Sequence, residues 1–163
     1  MLKQLIGIAI ATLACILQLS VGSASALELD EQTRTVPLDA EGEQKTLSLQ
    51  EAQRGKRLFN DVCAQCHFSG LTKTNPNVTL SQEDLAGAIP PRDNIEVIVD
   101  YLHEPTSYDG ELDLSEYHPT VERPDLYPEM RNLTDKDLRD IAGHILIQPK
   151  VVGENWGGGK AYF

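Results

Sequence analysis

The sequence predicts a mainly α-helical domain with a short β-hairpin near its N-terminus and an irregular C-terminal tail. Capping patterns precede runs of apolar residues at helical spacing, prolines follow the ends of those runs, and two short β-leaning runs flank a turn that contains glycine. The chain has 163 residues, of which 40% are hydrophobic and 24% are charged. This length and composition indicate one globular domain with a single core.

The charge balance excludes two kinds of partner. The chain carries 14 Lys and Arg against 25 Asp and Glu, a formal net charge of −11. Nucleic acids are bound through stripes of basic side chains that neutralise phosphates, so no nucleic-acid partner is expected. The same excess of acidic groups argues against electrostatic attachment to an anionic membrane surface.

Residues 1–26 have the pattern of a secretory signal peptide. Lys3 is the only charged residue there, an apolar run follows over 5–19, and small residues precede the expected cleavage after Ala26. A membrane anchor would need about 20 apolar residues, and a lipoprotein site at Cys15 lacks the residue favoured three places earlier. Removing 26 of the 163 residues leaves 137, takes the formal charge from −11 to −12 and leaves two of three cysteines.

The exported part, residues 27–163, is expected to be a single domain that starts with a hairpin over 27–47. Its two β-leaning runs flank a turn that contains Gly42. Pro37 has no backbone N–H, so its strand is expected at the edge of the sheet.

Four helices follow, each marked by a start and a stop signal. A capping box of Ser48 and Glu51 begins the first, which we expect to run from about Leu49 to about Cys63. The start and stop signals of the other three are, in order, Ser81 and Pro90, Asp93 and Pro105, and Thr134 and Pro149.

The C-terminal residues 149–163 are expected to form the irregular tail. They contain the glycine run 157–159, which favours no regular structure. Trp156, Tyr162 and Phe163 are the side chains that could attach this tail to the core.

The strongest chemical signal is the run Cys63-Ala64-Gln65-Cys66-His67. Two thiols on one helical turn can each add to a vinyl group of a haem, and the adjacent histidine then lies under the iron as an axial ligand. The sequence therefore predicts one covalently attached haem c.

Three other functions of this cysteine pair are less consistent with the sequence. A zinc site would need further Cys or His at paired spacing, and there is no second C-x-x-C run. A thioredoxin-like redox pair would begin a helix after a strand, whereas this pair ends a predicted helix. A structural disulfide suits an exported protein but leaves His67 without a role.

The second axial ligand has several candidates. His103 lies at the polar end of its helix, where a solvated side chain is expected, and His144 lies beside the apolar stripe of the last helix, where packing is expected. His118 lies in an irregular stretch that is long enough to fold over the open face of a haem. Met130 is close to the start of the last helix, so the short connection leaves it less freedom to reach the iron. The pattern favours His118, with Met130 as the alternative.

The identity of this ligand matters physically. A thioether favours Fe(II) and raises the reduction potential, whereas a second imidazole does not, and axial ligands move haem potentials over roughly 0.8 V. An iron held by two histidines would have a low potential and no open position for oxygen or substrate. We therefore expect no enzymatic activity.

Several segments resemble a known family. The run from Gly55 through Phe59 to His67 resembles the first helix of class I cytochromes c, in which a glycine allows a close crossing with the last helix, and 133–142 resembles that last helix. More specific segments are Leu71–Pro76, Pro90–Ile95, Tyr108–Glu111, His118-Pro119, Pro128–Thr134 and Trp156–Gly158. Over nearly the whole mature chain they resemble the extrinsic cytochrome c of photosystem II, the PsbV family.

This resemblance implies a class I cytochrome c-like fold and a place in photosynthesis. A member of this family would lie in the thylakoid lumen, peripheral to the membrane, on the lumenal face of photosystem II beside its other extrinsic subunits. There it would help to stabilise the manganese–calcium cluster and its calcium and chloride requirement. The alternative function is a diffusible electron-transfer cytochrome c.

The resemblance also implies a ligand set and a pocket. His67 and His118 would be the two axial ligands of a low-potential haem attached to Cys63 and Cys66. Residues that would line the pocket, each with ordinary core packing as its alternative role, are Thr72, Asn75, Leu80, Leu85, Ile98, Tyr101, Leu102, Tyr108 and Pro119.

Overall fold

Helices and one hairpin make up the architecture of the computed structural model, which describes residues 29–158. The expected signal peptide lies outside the described residues. The elements in chain order are α1 (Glu31–Arg34), β1 (Thr35–Pro37), β2 (Gln44–Thr46), α2 (Leu49–Leu58), a π-helical turn (Phe59–Cys63), α3 (Ala64–His67), α4 (Gln82–Gly87), α5 (Ile95–His103) and α6 (Asp135–Val152). Short 3₁₀ turns occur at Phe68–Gly70, Pro128–Met130 and Gly153–Asn155.

The predicted hairpin is present. Strands β1 and β2 pair antiparallel, with Val36 opposite Lys45. Val36 is fully buried, and Leu47 just after β2 packs against Gly143 of α6. The hairpin therefore covers one side of the last helix. The short helix α1, which the sequence did not predict, begins where the Asp30 carboxylate accepts a 2.7 Å hydrogen bond from the Thr33 N–H.

The first long helix begins as predicted but changes its geometry before its end. The Ser48 hydroxyl accepts from the Glu51 N–H at 3.2 Å, and the Glu51 carboxylate accepts from the Ser48 N–H at 2.7 Å, which is the predicted capping box. The expectation of one α-helix to Cys63 is wrong: α2 ends at Leu58 and a π-helical turn follows. Its wider hydrogen bond, from the Ala64 N–H to the Phe59 carbonyl, inserts one residue into the turn.

The remaining helices show two differences from prediction. The cap of α5 is Asn94 and not Asp93, because the Asn94 side chain accepts a 3.0 Å hydrogen bond from the Val97 N–H. Helix α6 does not end at Pro149 but continues to Val152. A proline in the last turn removes one helical hydrogen bond but keeps a φ that fits the helix. The carbonyl of Pro149 still accepts from the Gly153 N–H.

The core forms where α2 and α5 pack against α6. At the α2–α6 crossing, a Cβ on Gly55 would overlap the backbone carbonyl oxygen of Asp140. Beside this contact, the buried carboxylate of Asp140 pairs with Arg54 of α2. Within residues 29–158, no helix is long and apolar enough to cross a membrane.

The start of the tail is attached to the core by Trp156, as its position in the sequence suggested. Trp156 is 6% exposed, and its ring lies 5.5 Å from that of Phe59 and 5.9 Å from that of His144. The other two aromatic residues of the tail lie outside the described residues.

His103 connects the end of α5 to two other segments, so it is not simply solvated as expected. Its Nδ1 lies 2.8 Å from Glu122 Oε1 and its Nε2 lies 3.1 Å from Asp135 Oδ1 at the start of α6. The hydrogen bond to Glu122 is the main cause that raises the pKa of His103, with Asp135 adding to it.

We predict that the Gly55→Ala variant is destabilised by about 1–3 kcal/mol or more, because the added methyl group must push α2 away from the Asp140 carbonyl. Chemical denaturation of the haem-loaded protein measures this. The control is Gln53→Ala at an exposed position of the same helix, which should be nearly neutral. Equal midpoints for the two variants would contradict a tight crossing.

We predict that the stabilisation by His103 depends on pH. The folded-state pKa of His103 is raised, so its contribution is complete below about pH 6.5, the ordinary pKa of histidine, and is lost as the pH rises through the raised value. His103→Gln should therefore lower the free energy of unfolding by up to about 1 kcal/mol at about pH 5.5 and by less at about pH 8.5. A difference that does not change with pH would argue against the prediction.

Candidate haem site

A mostly apolar cavity of about 430 Å³ opens beside the Cys-x-x-Cys-His run. This volume lies in the range of about 300–1,000 Å³ that is usual for small-molecule and cofactor pockets. Its walls come from the π-helical turn, α3, α4, α5, α6 and the loops between them. Every site residue named from the sequence lies on these walls: Cys63, Cys66, His67, Thr72, Asn75, Leu80, Leu85, Ile98, Tyr101, Leu102, Tyr108, His118 and Pro119.

The two cysteines are presented to the cavity by the π-helical turn and α3. Cys63 is the last residue of the turn and Cys66 lies one helical turn further on, so both thiols reach the same wall. Burial, with a smaller effect of the Cys66 thiol, raises the pKa of Cys63 to about 12. A thiol that stays protonated is a poor nucleophile for disulfide exchange, which argues against a thioredoxin-like function.

A zinc site has no support either. In the part of the chain that the structure describes, no group of three or more His, Cys, Asp or Glu side chains is arranged to hold a metal ion. The cysteine pair and His67 therefore lack the further ligands that a tetrahedral zinc site requires.

His67 and His118 face each other across the cavity. Their ring centroids are 6.1 Å apart and their planes differ by 51°. The Nδ1 of His118 lies 2.9 Å from the Pro119 carbonyl oxygen, so Nδ1 carries the proton and donates it, and Nε2 keeps its lone pair. The Nδ1 of His67 lies 3.3 Å from the Thr72 hydroxyl.

Burial favours the neutral form of both imidazoles. Burial is the main cause that lowers the pKa of His67. Burial, followed by the charge of His67, lowers the pKa of His118 to about 4. A metal ligand must offer a free lone pair, so a neutral imidazole whose Nδ1 donates to a carbonyl, as in His118, has the chemistry that an axial ligand requires.

The spacing of the two rings fits an iron atom between them. Two imidazole nitrogens, each about 2.0–2.1 Å from one metal atom, would place the ring centroids roughly 6 Å apart. The observed distance is 6.1 Å. The two thiols and this pair of rings are therefore compatible with a haem attached on one side of the cavity and bound from two faces.

The other candidates for the second ligand are placed differently. Met130 lies on the cavity wall but is 2% exposed within the core cluster. His144 is buried and packs 5.0 Å from the ring of Phe59, as expected from its place beside the apolar stripe. His103 lies at the surface with its two carboxylate partners.

Sequence reasoning missed Arg92 as part of this site. The Arg92 side chain lines the cavity, and its guanidinium carbon lies 4.1 Å from the centroid of the Tyr101 ring. Its position just after Pro90-Pro91 gave no indication of where the side chain points. Other lining residues that were not named include Thr79, Asp84, Leu114 and Tyr117.

Comparison with known proteins gives a consistent result. The family model described as "Cytochrome c-550 domain" matches residues 27–163. The chain is 61% identical over 163 residues to Photosystem II extrinsic protein V of Nostoc punctiforme, which covers 100% of both chains. It is 52% identical to the protein of the same name from Thermosynechococcus vestitus, again over 100% of both chains.

Two solved structures are similar to the fold. A crystal structure of cytochrome c549 matches with 52% identity and a TM-score of 0.77, covering 78% of this chain and 99% of that chain. The PsbV2 cytochrome from Thermosynechococcus elongatus matches with 38% identity and a TM-score of 0.63, covering 76% of this chain and 87% of that chain.

These matches confirm the class I cytochrome c-like fold and the resemblance to the extrinsic cytochrome c of photosystem II. They also establish that the cofactor is a covalently bound haem c, for which Cys63, Cys66 and the cavity beside them fit. The chain belongs to the cytochrome c-550 family of photosystem II extrinsic proteins, the PsbV family.

Proposed function

We propose that this chain is an extrinsic subunit of photosystem II that stabilises the oxygen-evolving manganese–calcium cluster and its calcium and chloride requirement. The observation that carries the proposal is the match, 61% identical from end to end, to a protein named Photosystem II extrinsic protein V. Identity to the PsbV2 cytochrome is 38%. This difference favours the photosystem II subunit over a cytochrome of the PsbV2 type.

The proposed location is the thylakoid lumen, on the lumenal side of the membrane and beside the other extrinsic subunits. Two observations support it. Residues 1–26 have the pattern of an export signal, and the family model begins its match at Leu27, the residue after the proposed cleavage. The mature formal charge of −12, the −11 of the whole chain without Lys3, favours basic surfaces on the partner.

We propose that one haem is attached through Cys63 and Cys66. Each thiol would add across a vinyl group of the haem, with its hydrogen going to the second vinyl carbon, so Cys63 and Cys66 would hold the haem through two thioether bonds. Both sulfurs lie on the cavity wall three residues apart, which supports this attachment. The haem supplies reversible one-electron redox chemistry.

We propose His67 and His118 as the two axial ligands of the iron. The 6.1 Å separation of their rings supports this ligand set. The Pro119 carbonyl orients His118, and the Thr72 hydroxyl contacts His67. With both axial positions filled by imidazole, the potential is low and no position remains for a substrate, so the function is structural and not enzymatic.

We predict that His118→Met raises the midpoint potential by on the order of 0.1 V or more, because a thioether stabilises Fe(II) relative to imidazole. Redox titration measures the potential, and low-temperature EPR of the oxidised protein reports the ligand pair. His103→Gln, at a surface site, is the control and should keep the wild-type values. A wild-type potential and spectrum in His118→Met would exclude His118 as a ligand.

We predict that salt-washing photosystem II releases the protein and makes oxygen evolution dependent on added calcium and chloride. Adding the purified protein back should restore activity without these ions. The His118→Met protein should restore it equally well, because the proposed role is to stabilise the cluster and not to transfer electrons. Oxygen evolution that survives the loss without added ions would refute the role; fast, salt-sensitive electron transfer to photosystem I would indicate a diffusible carrier instead.

A further inference from the structure

Arg92 holds together three parts of the cavity wall. Its backbone N–H donates to the Leu85 carbonyl of α4 at 2.8 Å. Its Nη2 donates to the carbonyl oxygens of Thr106 and Ser107 at 2.9 and 2.7 Å, in the loop that follows α5. The backbone of Arg92 is thus attached to α4, and its guanidinium is held by the loop that carries His118.

The same guanidinium lies against the ring of Tyr101. Its central carbon is 4.1 Å from the ring centroid, a cation–π distance. The same ring also contacts His118: the two centroids are 4.9 Å apart and the planes meet at 67°, an edge-to-face arrangement. Arg92, Tyr101 and His118 therefore form a continuous row of contacts that ends at the imidazole facing His67.

The charge of Arg92 is not neutralised by the partners that hold it. Its hydrogen bonds are to two backbone carbonyls and the Thr106 hydroxyl, all of them uncharged. Burial lowers the pKa of Arg92, but a guanidinium stays charged at any physiological pH. A fixed positive charge in a weakly polar wall acts over a longer distance than a surface charge.

We propose that Arg92, through Tyr101, is a positioning residue for the His118 imidazole and that its charge raises the midpoint potential of the haem. Reduction lowers the positive charge of the iron by one unit, so a nearby positive charge favours Fe(II). The ring of Tyr101 transmits position, because its contact with the His118 imidazole limits the rotation of that imidazole about the bond to its Cβ. This proposal rests on the proposed ligation of the iron by His118.

The test compares substitutions in the haem-loaded protein by redox titration and EPR. Arg92→Gln removes the charge, and Arg139→Gln is the matched control, since it removes the same charge from an exposed pair with Glu96. We expect Arg92→Gln to shift the equilibrium toward Fe(III) about tenfold, which is about 59 mV for one electron. Arg139→Gln should stay within about twofold of wild type.

A second pair of variants tests the positioning role. Tyr101→Phe keeps the ring and should keep the EPR g-values, which depend on the relative orientation of the two imidazole planes. Tyr101→Leu removes the ring and should change them. Equal shifts in Arg92→Gln and Arg139→Gln, or g-values in Tyr101→Leu that equal those of Tyr101→Phe, would overturn the proposal.

The EPR spectra distinguish a failure of the role of Arg92 from a failure of the proposed ligand set. A wild-type EPR spectrum without two imidazoles would refute the ligand set itself, whereas a two-imidazole spectrum with unaffected variants refutes only the role of Arg92. If Arg92→Gln yields no folded protein, the comparison of Tyr101→Leu with Tyr101→Phe still decides the positioning part of the proposal: changed g-values support it and unchanged g-values overturn it.

Discussion

The close approach of α2 and α6 at Gly55 is the constraint on which the rest of the structure depends. Because no side chain separates Gly55 from the Asp140 carbonyl, the two helices meet backbone to backbone. This contact fixes the position of α2 along α6. The π-helical turn that directly follows α2 carries Phe59 and Cys63. The pair of Arg54 and Asp140 acts at the same place, where a buried carboxylate requires a partner.

The site is then assembled from segments whose positions follow from that crossing. The π-helical turn at 59–63 ends on the first of the two cysteines, and π-helical turns are frequent at functional sites. On the other side, α5 packs on α6 and presents Tyr101 to the cavity. His118 arrives from an irregular loop, so its orientation depends on local contacts, with Pro119 on one side and Tyr101 on the other.

Much of this structure was predictable from the sequence because its signals are local. Capping boxes at Ser48 and Thr134 mark helix starts, since the side chains and the backbone groups they satisfy are only three residues apart. The π-helical turn and the extra helical turn beyond Pro149 were not predictable, because each depends on one backbone hydrogen bond that packing decides. Arg92 was missed for a similar reason, since its partners at 101, 106 and 107 are brought to it only by the tertiary fold.

The loop between α5 and α6 has a consequence for folding. It contains His118, which is 51 positions after His67. Most residues of the loop lie outside helices and strands. In the proposed ligand set, both histidines bind one iron, and the cofactor would be a cross-link that closes this length of chain. By the loop-closure relation used for disulfides, such a link lowers the entropy of the unfolded chain by an amount worth about 4 kcal/mol. The prosthetic group would then hold the fold together, which would give the haem of the proposed stabilising subunit a purpose that requires no electron transfer.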